Sequence, residues 1–128
     1  MCGKVTKLVL LLLLLLNVCG CAALLVGAAG SIGTATWLSG KLTQEVNAPF
    51  EKTLNAAKSA LNSLGLKVEK ETVKDDVAQV MSNYSDGRTI WIDIHRISEL
   101  NSRIEVRVGA VGDKEAARKI LSRILRYL

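Results

Sequence analysis

From residue 37 onward, apolar and polar positions fall into regular periods. Leu42 and Val46 lie on one side of an extended chain and Lys41, Thr43 and Glu45 on the other, so residues 37–46 are predicted as a half-buried first strand. Pro49 then suits the first turn of a helix, where its missing N–H would have had no partner. Phe50, Leu54, Ala57, Leu61 and Leu64 follow at steps of four, three, four and three, which places them on one helical stripe. Gly65 stands where that helix needs a left-handed residue to stop, and Leu66 can pack back on it.

The period then changes to two. Leu66 and Val68 alternate with Lys67, Glu69 and Glu71, reading as a strand over residues 66–73 with one wet face. Lys74-Asp75-Asp76 turns the chain into a strand over residues 77–84. The Asp86-Gly87 pair predicts a tight hairpin in which both central residues take positive φ. Ile90, Ile92 and Ile94 face one way, with Trp91, Asp93 and His95 opposite. Ile104, Val106 and Val108 repeat the pattern against Arg103, Glu105 and Arg107, as in an antiparallel meander with one buried face. Asp113 is a good N-cap for a last helix, whose stripe is Ala116, Ala117, Ile120, Leu121, Ile124, Leu125 and Leu128. The order β-α-β-β-β-β-α predicts an α+β fold, a two-layer sandwich of an antiparallel β-meander with two helices on one face.

Before residue 37 the pattern is of another kind. Lys4 and Lys7 form a positive head, Leu8 to Leu16 is unbroken apolar sequence, and small residues lead to Cys21, which is the layout of a secretory signal peptide. Val18-Cys19-Gly20-Cys21 resembles a bacterial lipobox, with Cys19 in place of the commoner Ala or Ser. The expected organisation is therefore a signal peptide over residues 1–20, a Gly/Ala-rich membrane-proximal tether over 21–36, and a small α+β domain over 37–128. Each buried CH₂ contributes ~0.8 kcal/mol, so two or more acyl chains on Cys21 hold a protein firmly to a membrane. Ala22, where Asp is absent, resembles the default sorting of lipoproteins to the outer membrane, facing the periplasm. The alternative is a single-pass membrane protein without lipid, because residues 8–33 are long enough to cross a ~30 Å hydrocarbon core. Asn17 and the glycines at 20, 27, 30 and 33 weigh against it.

Composition narrows the chemistry. The 128-residue chain carries a formal charge of +5, two units of which leave with Lys4 and Lys7. That mild balance does not suggest a nucleic-acid binder, which concentrates basic residues in a patch. Cys2, Cys19 and Cys21 all precede the domain, which keeps no thiol for a disulfide or a metal. His95 is the lone histidine, and no G-x-S-x-G elbow occurs. Asp93 could orient His95 as a base, but polar residues on a solvent face are expected regardless. Asp75, Asp76 and Asp86 suit turns, and Gly109 to Gly112 lacks the spacing of a phosphate loop. No enzyme activity, cofactor or metal is expected. The basic last helix could lie on anionic lipid, although its apolar stripe is also what a sheet-covering helix needs. Trp91 on a wet face is the residue type found at the centre of contacts, and with Asp93, His95, Arg103 and Arg107 it marks the expected partner surface.

Several segments together carry a family likeness: Gly20-Cys21-Ala22-Ala23-Leu24-Leu25-Val26-Gly27-Ala28, Gly40-Lys41-Leu42, Ala48-Pro49-Phe50, Ala60-Leu61, Leu64-Gly65-Leu66-Lys67-Val68, and Val106-Arg107-Val108-Gly109 with Gly112-Asp113-Lys114. Their order resembles the small bacterial lipoprotein family catalogued as domain of unknown function 3568. The resemblance implies an envelope protein lipidated at Cys21 and brings no catalytic residues. The expected partners are thus the membrane, through acyl chains, and an envelope protein or cell-wall component. A small ligand-binding or hydrolytic periplasmic domain, with a cleft between helices and sheet, is the rival reading.

Overall fold

The structure is a computed structural model that describes residues 3–13 and 31–128. Cys21 and most of the expected tether lie outside the described residues, as does the proposed cleavage point. Residues 3–13 form helix α1, in which every described side chain is exposed. No described helix is long and apolar enough to cross a membrane.

The remaining elements are β1 (Ser31–Leu38), β2 (Lys41–Val46), α2 (Phe50–Ser63), β3 (Val68–Lys74), β4 (Val77–Asn83), β5 (Thr89–Arg96), β6 (Ser102–Val108) and α3 (Lys114–Arg126). The strands form one antiparallel sheet in the order β1-β2-β6-β5-β4-β3. The fold is α+β, with α2 and α3 on one face of the sheet. Alternation decides which face: Ala78 and Val80 of β4, Ile90, Ile92 and Ile94 of β5, and Ile104, Val106 and Val108 of β6 are all fully buried. Against them lie Phe50, Leu54 and Leu61 from α2 and Ile120, Leu121 and Ile124 from α3. Each such side chain contributes about 1.5–3 kcal/mol by leaving water. The buried apolar residues run from Leu42 to Ile124, so the core is complete without α1.

Both helix caps follow the expected chemistry. Gly65 takes φ +72°, Leu66 N–H donates to Leu61 O at 2.9 Å, and Gly65 N–H donates to Asn62 O at 3.1 Å, closing α2 in a Schellman motif. At the start of α3 the Asp113 carboxylate accepts from Ala116 N–H at 3.1 Å.

Three expectations change. Residues 37–46 are not one strand: Ser39 and Gly40 adopt φ 54° and 78°, and Leu38 pairs with Lys41 across a two-residue turn. Two consecutive positive φ values match the twist of the flanking strands, so the Ser-Gly pair makes a hairpin. Residues 31–36, expected in the tether, therefore belong to β1, which brings Trp37 opposite Leu42 and partly onto the core. The Asp86-Gly87 hairpin has positive φ at Gly87 alone. Its loop is longer, with Tyr84 N–H donating to Arg88 O at 2.9 Å and Gly87 N–H to Tyr84 O at 3.0 Å. Asp86 keeps an ordinary φ because its carboxylate accepts from Arg88 N–H at 3.0 Å, an Asx turn. Finally, β3 has no clean buried face: it is one edge of the sheet, its register shifts between Val68 and Lys70, and all its residues after Val68 are exposed. Alternating charge on an edge strand blocks pairing with another chain.

Candidate functional site

The sheet face away from the helices carries every charged or aromatic residue expected to meet a partner. Antiparallel pairing sets Trp91 opposite Arg107, Asp93 opposite Glu105 and His95 opposite Arg103. On the next strand Gln79 lies opposite Asp93, and Met81 opposite Trp91. All of these side chains are half-buried by their neighbours on the face.

Glu105 is the hub of the face. Its Oε2 lies 3.1 Å from His95 Nε2 and 3.9 Å from Lys41 Nζ, and its Oε1 lies 3.7 Å from Arg103 Nε. That last contact is ionic without being a hydrogen bond, and Arg103 Nε is buried with no hydrogen-bond partner. Asp93 accepts from the Gln79 amide at 2.9 Å. The sequence suggests Asp93 as the carboxylate for His95, but Glu105 takes that role. Its side chain is one methylene longer and reaches the diagonal position across the strand pair. Arg107 donates to Gly109 O at 3.4 Å and to Ala110 O, which stretches it along the strand and holds its guanidinium 5.7 Å from the Trp91 ring centroid. This is within the range of a cation–π contact. Lys41, Gln79, Trp91, Asp93, Glu105 and Arg107 line a hollow of about 330 Å³.

Asp93, His95 and Glu105 could hold a cation by distance alone, since one ligand atom of each lies within 4.8 Å of the others. Glu105, however, already faces Lys41 and Arg103, and Asp93 the Gln79 amide. The charges of this face largely satisfy one another, and the arrangement is that of an ionic network around an aromatic platform. Glu105, Gln79 and Lys41 were not among the candidates from sequence. Glu105 is visible there as the residue between Arg103 and Arg107, but only strand register shows that it opposes Asp93.

A second polar cluster lies at the β4–β5 turn. Arg88 pairs with Asp86 at 2.9 Å and with Asp113 at 2.6 Å, and its guanidinium stands 4.7 Å from the Tyr84 ring centroid. The Arg88 backbone N–H, and then its side chain, hold the Asp86 carboxyl below the usual range. The Asp86 bond in turn raises the Arg88 guanidinium. Burial pushes the Tyr84 phenol up, partly offset by Arg88. The cluster joins the β4–β5 turn to the N-terminus of α3.

Residues 4–126 match the family described as "Protein of unknown function (DUF3568)". No match to a curated protein was found.

Proposed function

The chain belongs to this family, whose description names no activity, and we propose that it is a lipid-anchored component of the bacterial envelope, held by acyl chains on Cys21 and acting through contact rather than catalysis. The observation that carries the membrane targeting is the apolar run of α1, which would leave with the signal peptide. Its Val and Leu side chains from Val5 to Leu13 are 49–70% exposed, so the folded domain gives them no cover. Apolar surface left in water costs about 25 cal/mol per Å². A lipid phase removes that cost, and the Val18-Cys19-Gly20-Cys21 sequence that follows supplies the point of cleavage and acylation.

Contact rather than catalysis is supported by the space between the layers. Phe50, Leu61, Ile92, Ile120 and Ile124 fill it at 0–2% exposure, leaving no interlayer cleft among the described residues, while Asp93 and His95 open on the opposite face. That outer face, with Trp91 beside Arg107 at one end and His95 opposite Arg103 at the other, is the surface offered to an envelope protein or a cell-wall component.

The deciding experiment is Cys21→Ala in a diderm bacterial host with a palmitate analogue supplied. The reading expects an unprocessed, unlabelled precursor. A variant that still matures and labels would refute it. A photo-crosslinker at Trp91 is expected to capture a partner that one at Lys70 on the edge strand does not, and equal capture from both positions would remove the assignment of the face.

A further inference from the structure

Helix α3 buries Ala117, Ile120, Leu121 and Ile124 against the sheet and α2. At 3.6 residues per turn, the side turned away from them is that of Glu115, Arg118, Lys119, Ser122 and Arg126. Arg118, Lys119, Ser122 and Arg126 are exposed, and Arg123 flanks them with a 3.4 Å hydrogen bond to Ser63 Oγ. Among the described residues, Lys114, Arg118, Lys119 and Arg126 form no ion pair. Of the acids at the helix start, Asp113 caps the helix and pairs with Arg88, and Glu115 stands exposed on the same side, so Arg118, Lys119 and Arg126 exceed the one acid beside them. Arg88 and Tyr84 form the far wall of a groove of about 660 Å³ along this side of α3. The helix dipole favours cations in the last turn, which accounts for Arg123 and Arg126 but not for Arg118 and Lys119.

We propose that this face of α3 rests on an anionic phospholipid surface, its arginines and lysine meeting headgroup phosphates. Guanidinium groups match phosphate oxygens in pairs, and uncompensated cations in a row complement a planar negative surface. The apolar stripe of α3 is committed to the core, so the helix contacts the surface without inserting. The inference deepens the anchoring reading, since acylation at Cys21 would keep the domain within reach of a membrane. It also orients the domain: with the helix layer toward lipid, the Trp91 face on the other side of the sheet points outward.

The test uses residues 31–128, whose core from Leu42 to Ile124 is complete. The fragment is sedimented with vesicles of phosphatidylcholine alone and of phosphatidylcholine mixed with phosphatidylglycerol, at low and high salt, with circular dichroism confirming the fold of every variant. Binding is expected only with the anionic lipid and is expected to weaken in salt. Replacing Arg118, Lys119 and Arg126 together by Gln should lower affinity roughly a hundredfold, at about fivefold per cation. Lys70→Gln with Lys74→Gln, on exposed β3, should change it by less than about a tenth of that. A wild-type fragment that ignores anionic vesicles overturns the proposal. So does an equal loss per charge removed in the two variants, which would make net charge the cause. Capture of an acidic protein by a photo-crosslinker at Ser122, with vesicles ignored, would give the face to that protein. Because the fragment lacks Cys21, failure here leaves the acylation result standing, and failure of acylation leaves this one.

Discussion

The β1–β2 hairpin is held to the rest of the domain by a backbone contact that leaves no room for a side chain. A Cβ built on Gly112 would lie 2.7 Å from Gly40 O and 2.8 Å from Gly40 Cα, both backbone atoms that cannot rotate aside. Gly112 also has φ +93°, which an L-residue adopts at a cost of about 1–2 kcal/mol. Gly112→Ala therefore combines a conformational cost with a collision, and Gly87→Ala separates them. Gly87 has the same φ of +93°, but a Cβ there meets nothing within 4 Å. Stiffening the unfolded chain returns about 0.4–1 kcal/mol in both variants, so Gly87→Ala should cost about 1 kcal/mol. Gly112→Ala adds the cost of overpacking, about 1–3 kcal/mol. Urea unfolding of residues 31–128 measures the difference, which should move the midpoint by roughly 1 M at an ordinary slope. Hydrogen exchange should show the added loss concentrated in the amides of β1 and β2. If the two variants shift the midpoint equally, the hairpin does not sit against the β6–α3 loop, and the place of β1 in the domain is wrong.

Two further outcomes follow from the polar contacts. Ser102 is fully buried and donates to Ala48 O at 2.8 Å, tying β6 to the entry of α2, so Ser102→Ala should cost about 1–3 kcal/mol by urea unfolding. An unchanged midpoint would show that Ala48 O is satisfied without it. Asp86 has its carboxyl held below the usual range by Arg88, so its contribution to stability is present above the ordinary carboxylate pKa and is lost as pH falls through the lowered folded value. The stability gap between wild type and Asp86→Asn should therefore close as the medium is acidified, and a gap that widens would reverse the assignment.

What could be read from sequence was whatever depends on neighbours along the chain. Gly65 and Asp113 cap their helices through contacts within three to five residues, and the Ile90-Ile92-Ile94 alternation needs only the strand's own period. The β1–β2 hairpin failed for a related reason: residues 31–36 are mostly small, with hydroxyl and apolar side chains in no clear alternation, and Ser39-Gly40 is a weaker turn signal than Asp86-Gly87. The candidate face was legible as a face but not as a network. Trp91, Asp93 and His95 share a side by periodicity, as do Arg103 and Glu105, whereas the Glu105 contacts to His95 and Lys41 depend on the register of three strands. Register is set by the whole sheet and its turns, and no residue states it locally.

The same distinction bears on α3. Along the chain, core packing and lipid contact compete as explanations of one basic amphipathic helix, because its apolar stripe could serve either. In three dimensions they use different sides. Ile120, Leu121 and Ile124 are spent on the sheet, and Arg118, Lys119 and Arg126 are left over, facing away from it. A helix that only had to cover a sheet would mix acids among the bases, as i,i+4 pairs support an exposed face. After Glu115, α3 has no acid. Core packing accounts for the stripe and the helix dipole for Arg123 and Arg126, which leaves Arg118 and Lys119 without a role inside the molecule. That surplus is what the proposed lipid contact of α3 would use.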